Sequence, residues 1–335
     1  MMRALLIPIA LLIAACGGET ETIARTPSMR IAVLDKGITQ LADRIDGRLE
    51  VAVQNIDGGE IWARNAEQTF PLQSVFKAPL GAAVLAEVDG GRLSLDEVLT
   101  ISDMELSPPL SPIAQAWPGR TTYTVRELLV AAVRDSDNTA ADVLMRRIGG
   151  PGALKSWLVE HGIVGLRVDR YERELQVEAV GMPSFRPAWR TPQAFEAAKL
   201  AVPEADRRAA WEAYAADPRD TTIASGSLNF LRQLSTGQLL SPASSKLLLG
   251  LMTETKTGAS RLKAGLPEGA TLAHKTGTSA TNFGITVATN DIGILTLKDG
   301  RKYAVVVLLA DSTADQKTRE AAIAGAMRVI AEAVE

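Results

Sequence analysis

At 335 residues the chain is long enough for one large domain or two ordinary ones around a substantial buried core. Its 46% hydrophobic and 22% charged residues are the proportions of a soluble globular protein. A formal net charge of -3, with Lys and Arg scattered along the chain, leaves no basic patch and excludes nucleic acid as an expected partner.

The first residues read as a targeting segment. Met1-Met2-Arg3 places one positive charge ahead of Ala4 to Ile13, an apolar stretch too short to span a bilayer, and Ala14-Ala15 put small residues before Cys16. Residues 1–15 are therefore expected to be a secretory signal. Ile13-Ala14-Ala15-Cys16 resembles a bacterial lipobox, in which cleavage leaves the cysteine at the new N-terminus to carry lipid. A signal cut by the ordinary peptidase would leave Cys16 a plain residue; lipidation is favoured because the chain's one cysteine stands where lipid attachment needs it. Residues 16–28 then form a polar tether, and the expected location is the bacterial periplasm, with membrane contact only through that anchor.

Beyond the tether, apolar residues from Ile31 to Ile45 recur at helical spacing, and Asp46-Gly47 ends the run. Leu49 to Ile56 alternates, Asp57-Gly58-Gly59 turns, and Glu60 to Arg64 resumes, the pattern of a hairpin. A helix is expected over the apolar run Ala78 to Val88, with a kink or a late start at Pro79, which has no N–H to give the Val75 carbonyl. Ser74 would fall in its first turn and Lys77, three residues on, beside it on one face. That is a useful place for a serine nucleophile, because an adjacent amine can take or relay the hydroxyl proton. The pattern alone is weak: a capping serine with a surface lysine gives the same letters, and Ser260-Arg261-Leu262-Lys263 repeats them.

Helical patterns over Thr124 to Val133 and Thr139 to Ile148 flank the polar turn Ser136-Asp137-Asn138. One residue of such a turn can cap the second helix while the others project a hydroxyl and an amide into a cleft. Strands are expected over Thr271 to Thr276, Gly284 to Leu297 and Lys302 to Ala310, and a last helix from about Thr313 to Glu335. Lys275-Thr276-Gly277-Thr278 lies on the first of these strands: a lysine to meet a carboxylate, a hydroxyl, and a glycine that lets a ligand approach the backbone. Lys256-Thr257-Gly258 repeats the motif, but reads as a helix C-terminus closed by glycine. Strands at both ends with a helical middle imply one sheet built from the two termini, a helical domain inserted between them, and a cleft at the junction.

Ser-x-x-Lys, Ser-Asp-Asn and Lys-Thr-Gly, in this order on helix, turn and strand, resemble the motifs of the penicillin-recognising serine enzymes, and in particular of the class A β-lactamases. Arg170-Tyr171-Glu172-Arg173-Glu174-Leu175-Gln176 is similar to that class's Arg-x-Glu-x-x-Leu-Asn, which makes Glu172, rather than Glu174, the counterpart of its deacylation base. The resemblance covers about Met29 to Glu335. It implies an α/β fold with an antiparallel five-stranded sheet flanked by N- and C-terminal helices, formed by residues 29–73 and 225–335, and an inserted all-α domain, residues 74–224, that includes an extended loop at 170–220.

It also implies hydrolysis of the β-lactam amide bond of penicillins and cephalosporins, and with it antibiotic resistance, through an acyl-enzyme on Ser74. Lys77 or Glu172 takes the serine proton, Ser136 protonates the leaving nitrogen, and Glu172 with Gln176 activates water. The backbone N–H groups of Ser74 and Thr278 form the oxyanion hole. Lys275, Thr276, Gly277, Thr278 and Arg261 hold the substrate carboxylate end, and Asn138 the acylamino chain. No cofactor or metal is implied; His161 and His274, the two histidines, form no ligand cluster and read as structural. A monomer is the default.

The chain departs from the family pattern in places. Gln176 replaces an asparagine, Leu110 stands where an aromatic residue often walls the cleft, and Phe283 lies near a missing strand arginine whose work Arg261 is expected to take over. Arg219-Asp220-Thr221-Thr222 is similar to the segment that closes the loop with an arginine–aspartate pair, yet Arg170 and Asp220 are far apart in sequence. The extra stretch Val177 to Pro218 carries helix-start signals at Thr191-Pro192 and Pro203-Glu204, as a lid on the cleft or as solvated packing. Two other functions fit the first three motifs, a penicillin-binding peptidoglycan peptidase or transpeptidase and a non-hydrolysing β-lactam sensor; Glu172 argues against the first, and no signalling segment supports the second.

Overall fold

Eight consecutive apolar residues, Tyr303 to Ala310, offer water no polar face, so a strand made of them belongs in the middle of a sheet covered on both sides. The computed structural model, which describes residues 29–335, buries all eight. They lie in β5 (Lys302–Ser312), after β1 (Arg48–Asn55), β2 (Ile61–Arg64), β3 (Thr271–Thr278) and β4 (Ile285–Thr296). The sheet runs β2-β1-β5-β4-β3 and is antiparallel throughout, with Val51 opposite Val307 and Lys275 opposite Ile292. A two-residue strand, Thr281–Asn282, pairs back onto the start of β4 and adds a short sixth member to the five expected. Cys16, the signal segment and the tether lie outside the described residues.

Alternation along the strands splits the core in two. Leu49, Val51 and Val53 face the N-terminal helix (Ile31–Ala42) and the C-terminal helix (Gln316–Val334), packing with Leu34, Ile38, Ile323 and Met327. Ala52, Val306 and Leu308 face the other way, into a larger core with Phe230, Leu231 and Leu234 of the helix Ala224–Ser235. Each fully buried Leu, Ile or Val contributes about 2 kcal/mol by leaving water.

The helix Lys77–Asp89 is buried on every side from Lys77 to Leu85, as a central helix must be. Ser74 lies just before it in a 3-10 turn, Gln73–Phe76. The late start, rather than a kink, accommodates Pro79: it is the third residue of the helix, where the N–H has no intrahelical partner anyway. The insertion does contain helices at the two signals, Pro192–Leu200, whose start the Thr191 hydroxyl caps through the Ala194 N–H, and Glu204–Ala215. The last strand runs two residues further than its apolar pattern, to Ser312, and the C-terminal helix begins only where Asp315 accepts the Thr318 N–H at 2.7 Å.

Candidate active site

Lys77 is the one cation in the largely apolar helix Lys77–Asp89. Its ammonium donates to Ser74 Oγ at 2.8 Å, the Ser136 carbonyl at 2.9 Å and Asn138 Oδ1 at 2.6 Å. Glu172 Oε1 lies 3.3 Å from the same nitrogen, and both side chains are essentially closed to solvent. An ammonium has three protons, so every donor is used and a counter-charge stands beside it, which is what keeping a cation in an apolar core requires. Lys77 is thus the hub through which Ser74, Asn138 and Glu172 meet.

The Ser-Asp-Asn turn divides its work. Asp137 caps the helix Asn138–Arg147, accepting the Ala140 and Ile113 N–H groups at 2.9 Å each, and burial pushes its carboxyl above the usual carboxylate range. Ser136 takes φ +65°, a conformation L side chains rarely adopt, and its hydroxyl receives a hydrogen bond from Lys275 Nζ at 3.0 Å. Leu110, an exposed residue, accepts the Asn138 N–H on its carbonyl. Lys275 is fully buried; burial first, and the charge of Lys77 second, hold its ammonium well below the ordinary lysine range. A carboxylate bound beside it would favour the charged ammonium by its opposite charge.

β3 lies against the serine turn, and Gly277 is the reason it can. A Cβ at Gly277 would sit 2.3 Å from the Leu72 carbonyl and 3.1 Å from the Val75 nitrogen, so the bare α-carbon lets strand and turn touch. Thr276 and Thr278 flank Gly277 on the strand, Thr276 largely buried and Thr278 open to solvent. Arg261 is buried behind this strand. Its guanidinium donates to the Gly277 and Asn290 carbonyls and, at 2.7 Å, to Thr278 Oγ1, so it touches the cleft wall through Thr278.

The second Lys-Thr-Gly is not the helix end it resembles. That helix, Pro242–Thr253, stops short of Lys256, while Thr257 Oγ1 lies 2.6 Å from Thr276 Oγ1 and Gly258, at φ +73°, packs on the Thr276 methyl.

Glu172 opens a short helix, Glu172–Glu178, on which Gln176 donates to Glu172 Oε2 at 2.9 Å. Two residues outside the motifs hold this machinery. Asp142 accepts the Glu172 N–H at 2.8 Å and the Arg173 N–H at 3.0 Å; burial raises its carboxyl to about 7. Asn290 on β4 donates to the Pro71 carbonyl at 2.7 Å, fixing the chain that enters the serine turn. A carboxylate in an apolar helix run and an amide at an inward strand position were the signals available for them. The loop closes through Arg170 Nε and Asp220 Oδ2 at 2.6 Å, with Glu178 and Asp217 also on the guanidinium.

The arrangement suits serine acyl transfer: a hydroxyl bonded to a buried amine, a second hydroxyl bonded to a second amine, and a carboxylate two contacts from the first hydroxyl. A family model described as the beta-lactamase enzyme family matches residues 33–334. The chain is similar to the extended-spectrum beta-lactamase PER-1 of Pseudomonas aeruginosa, 33% identical over 91% of this chain and 86% of that one. Beta-lactamase VEB-1 of the same organism is 30% identical over 85% of this chain and 84% of its own length. An ancestral (GNCA) class A beta-lactamase structure superposes with a TM-score of 0.73 at 35% identity, covering 90% of this chain and 99% of that one. Matched along nearly all its described length, the chain belongs to the beta-lactamase enzyme family, as a class A serine β-lactamase.

Proposed function

We propose that this enzyme hydrolyses the amide bond of β-lactams in two steps, with the roles divided among the residues gathered at Lys77. Ser74 Oγ attacks the lactam carbonyl, and its proton has two acceptors within reach, Lys77 directly or Glu172 through water. The backbone N–H groups of Ser74 and Thr278 hold the oxyanion, worth about 3–4 kcal/mol per donor in comparable sites. As the ring C–N bond breaks, Ser136 passes its proton to the departing nitrogen and is itself kept polarised by Lys275. Lys275, Thr276, Gly277 and Thr278 bind the substrate carboxylate, with Arg261 steadying the Thr278 hydroxyl from behind. Asn138 meets the acylamino group. Glu172, with Gln176 beside it, then takes a proton from the water that cleaves the Ser74 ester.

The observation that supports this reading is the run Ser74–Lys77–Glu172, with contacts of 2.8 and 3.3 Å, in which one bridging group separates a carboxylate from the Ser74 hydroxyl. With a chromogenic cephalosporin the protein should turn over many times per site, whereas Glu172→Ala should give one stoichiometric burst and a stable adduct on Ser74 by intact mass. A single burst from the unaltered protein, or sustained turnover by Glu172→Ala, would refute the assignment.

The same reading includes two folding units, 29–73 with 225–335 and 74–224, a monomer, and a periplasmic enzyme tethered through a lipidated Cys16, supported by the lipobox-like Ile13 to Cys16. Cys16→Ser should release the protein from the membrane fraction; membrane-bound Cys16→Ser would exclude lipid as the anchor.

A further inference from the structure

The helix Glu172–Glu178 has two faces with different neighbours. Glu172 and Gln176, one turn apart, meet on the side of Lys77. Arg173, Glu174, Val177 and Glu178 fall on the opposite side, where they floor a cleft of about 640 Å³ that none of Ser74, Lys77, Ser136 or Lys275 lines. The rest of the wall is apolar at Met104, Met182 and Phe185 and basic at Arg146, which comes from the helix Asn138–Arg147.

Most of the charge around the cleft is already matched. Arg170 and Arg219 share Glu178 and Asp217, Glu174 accepts the Tyr171 N–H, and Arg146 keeps one ion pair, with Glu105 at 2.7 Å. Arg173 is the exception. Among the described residues its guanidinium has no hydrogen-bond or ion-pair partner, and its nitrogens are not shut away from solvent. It lies instead over the Phe185 ring, 5.2 Å from the ring centre, which holds it in one pose. Burial keeps this guanidinium below the ordinary arginine range; Asp142 opposes that effect and the charge of Arg146 adds to it. A half-buried cation beside a second cation gains from any anion that reaches both.

We infer that this cleft is a second binding site, separate from the catalytic centre, for a small aromatic oxyanion, a phosphate or carboxylate carried on a ring. The oxygens bridge Arg173 and Arg146, and the ring lies against Met104, Met182 and Phe185. A planar guanidinium fork matches the spacing of such oxygens, and methionine side chains adapt to the outline of a ring. The site does not depend on what Ser74 does, since its residues face away from Lys77.

Calorimetric titration of the unaltered protein with phenyl phosphate, inorganic phosphate and phenol tests it without reference to turnover. Phenyl phosphate should bind one to one, and the two fragments, which each lack half of the ligand, should bind at least about fivefold more weakly. Arg173→Gln, which removes the unpaired charge and keeps the backbone N–H that Asp142 accepts, should weaken phenyl phosphate about tenfold. Absence of saturable binding, or equal affinity for all three probes, would overturn the inference. So would an affinity that survives Arg173→Gln, which would put the anion elsewhere, such as beside Lys275. Should Arg173→Gln not fold, Arg146→Gln at an exposed position decides the matter by the same loss.

Discussion

Lys77 shows how much of the chemistry is set by one buried charge. A lysine in an apolar helix is tolerated because three acceptors and a carboxylate surround it, and those groups are the ones an acyl transfer needs. Ser74, Lys77, Ser136 and Lys275 could be read in the sequence because chemistry at short fixed spacings leaves a local trace. Asp142 and Asn290 left only a polar residue in an apolar setting as a trace, with nothing to say what it meets, because each acts on backbone groups far away in the chain. Asp142 yields a pH prediction. Its folded carboxyl titrates at about 7 against an ordinary 3.8, so the folded state prefers it protonated. Its contribution is whole at acid pH and is lost as the pH rises from near 4 through 7. Urea denaturation should show Asp142→Asn with a flatter stability curve over that window than the unaltered protein; an unchanged slope would contradict the assignment. Asp142→Ala, which strips the Glu172 and Arg173 N–H groups of their acceptor, should cost about 1–3 kcal/mol at neutral pH.

The elements hold fewer local clues than the residues. Thr191-Pro192 and Pro203-Glu204 announce two helices in the insertion, but nothing nearby in sequence states that Tyr214 will meet Gln73 or Trp211 the Ile285 carbonyl. The second Lys-Thr-Gly misleads for the same reason, since its contact with Thr276 exists only once β3 is in place. The arginine–aspartate pair closes the loop across the whole insertion, with Asp220 at φ +52° and its carboxylate also accepting the Asp169 N–H at 2.7 Å. Removing one partner strands the other in a buried place, a loss of about 3 kcal/mol. Arg170→Ala should therefore loosen the loop that carries Glu172 and slow deacylation more than acylation, seen as accumulated acyl-enzyme during turnover. Equal loss in both steps would place the effect elsewhere.

On the scale of the whole molecule, the sheet was legible from alternation in the hairpin and the apolar run of β5, since one face or both must be dry. Glu50 escapes that logic. It stands on β1 among buried neighbours, both carboxylate oxygens lack a hydrogen-bond partner among the described residues, and burial lifts its pKa to about 8, with Arg64 opposing. Such a group is held as the neutral acid, so its effect on folding is harmless below about pH 4.5 and grows more costly as the pH climbs through 8. Glu50→Leu should raise stability by about 1–3 kcal/mol near neutral pH and by more at pH 9, measured by urea denaturation at both; a loss at pH 9 would disprove this account.

The central strand β5 comes from the last part of the chain and pairs on one side with β1 from the first part. While a ribosome is still making the polypeptide, the early hairpin therefore has no neighbour to zip against, and folding must wait for the final stretch to emerge. A nascent chain halted at Leu297 should be cut freely by protease where the finished enzyme resists. The delay would keep the polypeptide threadable for as long as translation lasts, the form in which a secretory channel accepts its cargo.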